Sequence, residues 1–207
     1  MEASEKDLWE GISATFAFLA QVANNAPNEA SVRELLEAVR AADEDEVADG
    51  YRTMKQYAHA CADRELAEVT RELGVDWTTV FRGMNRQGGP KPPYAGAWLS
   101  SDGVGVEEMC AVNACYVEAG LGAGTTAANR HDYFGIELEF VGRLAQRIAG
   151  GDAAATDQLA SFLDRYLLSW FGSFADDVEA KGTTSFWKGY SDLVEASLRD
   201  VRALLPA

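Results

Sequence analysis

Arg130-His131-Asp132-Tyr133-Phe134-Gly135-Ile136-Glu137-Leu138-Glu139-Phe140 opens a long helical pattern. Phe134, Leu138, Val141, Ala145 and Ile148 follow one another at intervals of four and three, the spacing of one face of an α-helix, and Gly150-Gly151 ends the run. The stripe predicts a helix with one face turned inward. Asp132 stands at its start, where a carboxylate suits a cap or the first turn because free backbone N–H groups and the positive end of the helix dipole lie there.

The same period extends in both directions. Upstream, Leu8, Ile12, Phe16, Leu19 and Ala23 mark a first helix ending near Asn24-Asn25, and Val32, Leu35, Leu36 and Val39 a second, with Ser31 and Glu34 as its capping box. Asp43-Glu44-Asp45-Glu46 is expected to open a third helix, continued by Tyr51, Met54, Ala58 and Cys61. Leu66, Val69 and Leu73 form a fourth that stops at Gly74; Asp76 then caps a short helix carrying Trp77, Val80, Phe81 and Met84. Gly88-Gly89-Pro90-Lys91-Pro92-Pro93 breaks the pattern, since each proline removes a donor and restricts its neighbour. Residues 88–94 therefore read as a hinge between two halves.

Tyr94 to Ser100 reads as a loop. Val106, Met109, Cys110, Ala114 and Val117 form a helix ending at Gly120, and Leu121 to Ala128 a small-residue connector. Beyond the opening stretch, Leu159, Phe162, Leu163, Tyr166 and Trp170 mark one more helix, and Phe186, Tyr190, Leu193, Val194 and Val201 the last. No run alternates as a strand would. The expectation is an all-α fold over residues 1–207, a single compact domain of roughly nine helices with the proline-rich hinge inside it.

Composition narrows the function classes. A hydrophobic share of 47% supports a packed core. Thirty-three acidic against 18 basic side chains leave a net charge of -15, which repels nucleic-acid phosphates and anionic lipid and attracts cationic partners. The same charge serves solubility and by itself specifies no partner. The polar start, Met1 to Asp7, does not resemble an export signal, and no apolar run reaches the ~20 residues that cross a bilayer. A cytoplasmic protein without stable membrane insertion is expected. Cys61, Cys110 and Cys115 read as reduced, buried thiols; with two histidines and no Cys-x-x-Cys pair, no metal site is expected.

Three segments, in order, carry a family resemblance. Pro93-Tyr94-Ala95-Gly96-Ala97-Trp98-Leu99 resembles the aromatic-glutamate-serine-valine-tyrosine-leucine segment of the TorD/DmsD family of redox-enzyme maturation chaperones, with Gly96 for the usual serine and Trp98 for the usual tyrosine. The opening stretch is similar to that family's proline-aspartate-histidine signature and the helix start after it; Asp132 holds the aspartate, His131 stands for proline and Tyr133 for histidine. Tyr166-Leu167-Leu168-Ser169-Trp170 resembles its histidine-leucine-leucine-x-tryptophan, again with tyrosine for histidine, and Phe186-Trp187 stands where phenylalanine-tyrosine is common. Tyrosine at both positions leaves aromatic packing and hydrogen bonding but no titratable imidazole.

The resemblance implies a non-enzymatic cytoplasmic chaperone. It would bind the twin-arginine signal peptide of a molybdopterin-dependent oxidoreductase of the DMSO or TMAO reductase type, and assist cofactor insertion and folding of that catalytic subunit before export. An arginine pair followed by an apolar run wants carboxylates in fork geometry and an aromatic groove. The expected peptide-binding residues are Tyr94, Gly96, Trp98, Leu99, His131, Asp132, Tyr133, Gly135, Glu137 and Trp170. Asp132, Glu137 and Glu139 cluster at the start of one helix, Asp132 and Glu139 sharing a face two turns apart, with one of the two glutamates solvated. Trp170 also lies on the Leu159, Leu163, Tyr166 stripe, a core position. The acidic field would speed encounter with a cationic leader, within a screening length of about 8 Å.

Two rival readings are an assembly chaperone for a reductase subunit that is never exported, and a small helical enzyme. No hydrolase or metalloenzyme motif favours the latter, and no cofactor is expected. Gly120-Leu121-Gly122-Ala123-Gly124-Thr125-Thr126 looks phosphate-friendly but lacks the P-loop lysine, so weak guanine-nucleotide binding rests on family resemblance alone. A monomer and a dimer exchanged at the Pro92-Pro93 linker both fit.

Overall fold

A computed structural model describes residues 3–41, 48–82, 89–101, 105–121 and 130–206. Among them the fold is all-α. The helices are α1 (Ala3–Asn24), α2 (Glu29–Ala41), α3 (Asp49–Ala60), α4 (Leu66–Arg82), α5 (Ala95–Leu99), α6 (Val106–Glu118), α7 (Phe134–Ala149), α8 (Ala153–Phe162), α9 (Leu168–Lys181) and α10 (Ser185–Ala203). A π-helical turn, Leu163–Leu167, joins α8 to α9 without a break. Counted as one rod, that run brings the described helices close to the expected number. None is long and apolar enough to cross a membrane.

The residues gather into two compact units, Met1–Asn25 with Pro93–Phe171 and Leu198–Ala207, and Ala26–Pro92 with Gly172–Ser197. In the first, α1 packs along α7. Trp9, Phe16, Leu19 and Ala23 form the inner face of α1; Leu8, expected there, is exposed. On α7 the stripe Phe134, Leu138, Val141, Ala145 and Ile148 is buried, and Gly150 and Gly151 terminate the helix, Gly151 at φ 86°. Tyr116, Phe140 and Phe162 form an aromatic triad beneath it, with centroids 4.7–6.1 Å apart.

In the second unit Phe81 lies at the centre, within 5.3–6.2 Å of Phe174, Trp187 and Tyr190. Three local expectations change here. Helix α4 runs straight through Gly74, because glycine inside a helix is merely less favourable than alanine and the flanking Leu73, Trp77 and Val80 are all buried. Asp76 therefore caps nothing on α4. Its carboxylate is buried and accepts from the Thr183 and Thr184 amides and the Thr184 hydroxyl, closing the start of α10. The capping box of α2 pairs Asn28 with Ser31: the Asn28 amide donates to Ser31 Oγ at 3.0 Å and the Ser31 amide to Asn28 Oδ1 at 3.1 Å.

Of the three free cysteines only Cys61 is buried; Cys115 is half-buried and Cys110 exposed, on the outer side of α6. Asp43 to Glu46, Met84, Gly88 and Gly122 to Ala128 lie outside the described residues.

Candidate functional site

The three segments singled out in the sequence meet within the first unit. Residues 93–95 run antiparallel to 132–134 as one isolated β-bridge: the Ala95 amide donates to the Asp132 carbonyl at 2.9 Å and the Phe134 amide to the Pro93 carbonyl at 3.1 Å. These bonds fix the proline-rich segment against the entrance of α7, since buried backbone groups must be paired. The third segment joins through Trp98, whose ring stacks on Trp170 at 6.1 Å and 19°. Residues 94–99, expected as a loop, are mostly the short helix α5.

Asp132 is the polar centre of this junction and is fully buried. Its Oδ1 accepts from Arg130 Nε at 2.9 Å; its Oδ2 accepts from Arg130 Nη2 and from the Gly96 amide, both at 2.9 Å. Arg130 Nη2 also donates to the Gly105 carbonyl at 3.1 Å, and the guanidinium lies 5.6 Å from the centroid of the Tyr94 ring, within cation–π range. A forked carboxylate, a carbonyl and an aromatic face thus surround one planar cation.

Two glycines make this arrangement possible. Gly105, at φ 64°, adopts the left-handed conformation ahead of α6, and its backbone presses on Gly96. A Cβ on Gly96 would come within 2.5 Å of the Gly105 carbonyl oxygen and 2.9 Å of Arg130 Nη2. The serine usual in the resembling family has no room at this position.

Other expected site residues have structural work. Asp132 precedes α7 rather than sharing a helix face with Glu139, which pairs with Arg143 Nη2 at 2.5 Å on the outside. Tyr133 is buried, and its hydroxyl donates to the Ala23 carbonyl at 2.8 Å, so it lines no open groove. Gly135 packs on Asn24, whose Nδ2 donates to the Gly135 carbonyl at 3.1 Å; a Cβ there would sit 2.4 Å from Asn24 Oδ1. Trp170 is 2% exposed, a core residue as its stripe indicates. Tyr94, Trp98, Leu99 and His131 are the half-buried members, and the His131 carbonyl accepts from the Tyr116 hydroxyl at 2.9 Å.

Glu137 faces inward. It is wholly buried, and among the described residues neither carboxylate oxygen has a hydrogen-bond partner. Burial, with the charge of nearby Asp132 added, pushes its pKa well above the ordinary carboxylate range, favouring the protonated form. Burial likewise pushes the Tyr116 phenol up.

Sequence reasoning gave Arg130 and Gly105 no role. The signal for Arg130 was its place two residues before Asp132 in an acidic chain. For Gly105 only its position ahead of a helix spoke.

With these segments side by side, kinship can be tested against known proteins. The family model described as nitrate reductase delta subunit matches residues 21–176, a span containing all three segments. The chain belongs to this family. It is also similar to the chaperone protein YcdY of Escherichia coli (strain K12), at 32% identity over 127 residues. That alignment covers 61% of this chain and 61% of YcdY, so the chain spans less than two thirds of that relative. The delta-subunit family is one of redox-enzyme maturation chaperones and not of enzymes, in agreement with the TorD/DmsD resemblance. Among the described residues, the Asp132 carboxylate is met by the Arg130 guanidinium and the Gly96 amide.

Proposed function

We propose that this chain is a cytoplasmic chaperone that holds the arginine-bearing leader of a molybdenum-dependent oxidoreductase while its catalytic subunit matures. The observation that carries the reading is a half-buried edge of Tyr94, Trp98 and Leu99 beside a guanidinium seat built on the buried Asp132. The first suits the apolar stretch of a leader, the second its arginines. The net charge of -15 favours encounter with such a peptide.

Calorimetric titration with synthetic peptides carrying Arg-Arg ahead of an apolar run tests this. Micromolar affinity is expected, roughly -8 kcal/mol. It should fall about tenfold on Trp98→Ala. A second reading draws on the family's description as a reductase delta subunit and on YcdY's as a chaperone: assembly of a reductase subunit that carries no leader. No heat with any twin-arginine peptide, together with co-purification of a leaderless reductase subunit, would replace the first reading by the second.

A further inference from the structure

We infer that Arg130 is a built-in occupant of the seat an incoming arginine takes, so that a ligand arginine reaches Asp132 only by exchanging one guanidinium for another. The inference rests on the leader-binding reading and adds to it how that seat is controlled. Four observations support the exchange.

The seat is complete around Arg130: the fork on Asp132, the Gly105 carbonyl and the Tyr94 ring. These are the elements by which proteins recognise guanidinium groups, and a lysine ammonium cannot fill the fork. Next, exposure is divided unequally. The Asp132 side chain is 0% exposed while that of Arg130 is 38% exposed, so solvent, and any ligand, meets the arginine and not the carboxylate.

Arg130 also belongs to no helix. Its side chain can leave without breaking the hydrogen bonds of α7, which begins at Phe134. The Gly96 amide meanwhile keeps its bond to Asp132 Oδ2, so the carboxylate stays aimed at the seat. Finally, exchange conserves charge. Removing Arg130 alone would strand a buried carboxylate, a costly state, whereas replacement by a second guanidinium restores the pairing. An isolated arginine therefore gains little over the internal one, and net affinity must come from contacts outside the seat, which Tyr94, Trp98 and Leu99 are placed to make.

The test compares wild type, Arg130→Ala, Arg130→Lys and Arg130→Ala combined with Asp132→Asn, all as the full chain. The Arg-Arg peptide is titrated by calorimetry, and millimolar methylguanidinium serves as a small probe in thermal melts. Arg130→Ala should bind the peptide about tenfold tighter than wild type, the gain vanishing in the double variant and for a Lys-Lys peptide. Methylguanidinium should raise the melting temperature of Arg130→Ala and leave that of wild type unmoved. If Arg130→Ala does not fold, Arg130→Lys carries the peptide comparison, since lysine keeps the charge but holds the fork less well.

Equal peptide affinity in wild type and the folded Arg130 variants, with no effect of methylguanidinium, would overturn the exchange and leave leader binding standing. Peptides that bind no variant, with methylguanidinium still stabilising Arg130→Ala selectively, would sink leader binding and leave the guanidinium seat standing.

Discussion

The Tyr133 hydroxyl donates to the Ala23 carbonyl across 2.8 Å, tying the last turn of α1 to the residue that precedes α7. The carbonyls of a final helical turn lack intrahelical partners, so this buried bond satisfies a group that would otherwise be stranded. Its ring is held between Tyr94 and Phe134, at 5.3 and 5.1 Å. Tyrosine at the position where the resembling family has histidine is thus explained by structure, through a phenol long enough to reach α1.

Tyr133→Phe should destabilise the chain by about 1–2 kcal/mol, the cost of one buried bond with its acceptor left unpaired. Arginine-peptide affinity should change less than twofold. Urea denaturation and calorimetry on the same preparations check both. A large loss of affinity with unchanged stability would return Tyr133 to the ligand surface.

Asp76 makes a stronger prediction. Its buried carboxylate accepts from Thr184 N and Thr184 Oγ1, both at 2.7 Å, and from Thr183 N at 3.1 Å, while the Thr184 hydroxyl in turn accepts from Trp187 N at 3.5 Å. One side chain thus organises the whole entry to α10. Asp76→Ala takes the acceptor from three donors, the two of Thr184 buried, and should cost about 3 kcal/mol, with Asp76→Asn costing less because it can still accept. Urea midpoints of the two variants measure the difference; equal midpoints would mean that water takes over the cap.

What could be read in advance follows from how local each cause is. The stripe Phe134, Leu138, Val141, Ala145 and Ile148 and the stop at Gly150-Gly151 depend on neighbouring residues and hold in the structure. So does the all-α class. Gly74 and Asp76 misled because a glycine and an aspartate close together resemble a stop and a start. The decisive partner, Thr184, is 108 positions away. Ser31 misled by three residues, since Asn28 and Ser31 form a reciprocal pair and either suits a cap. At the candidate site, residue types signalled recognition, yet only three-dimensional packing separates Trp98, half-buried, from Trp170, enclosed. Occupation of Asp132 by the chain's own Arg130 depends on the turn between them and on the Gly96–Gly105 approach, which periodicity does not encode.

Glu137 provides the pH test. Its carboxyl is wholly buried beside Asp132 and keeps its proton well above the ordinary value of 4.5. The unfolded chain releases that proton near 4.5 while the folded chain retains it. Between those two points the folded state binds more protons, so rising pH favours unfolding, by up to about 1.4 kcal/mol per pH unit. Stability from this group is therefore complete below the unfolded value and is lost as pH rises toward the folded one, beyond which the loss levels off. Glu137→Gln keeps the shape of the protonated acid and cannot titrate. The variant should match wild type near pH 4.5 and exceed it increasingly as pH rises above that value. Because groups remote from Glu137 titrate alike in both proteins, the quantity to follow is the difference between their urea-derived stabilities across the pH range. A difference that stays constant with pH would show that Glu137 is ionised in the folded chain, with a partner that compensates its charge.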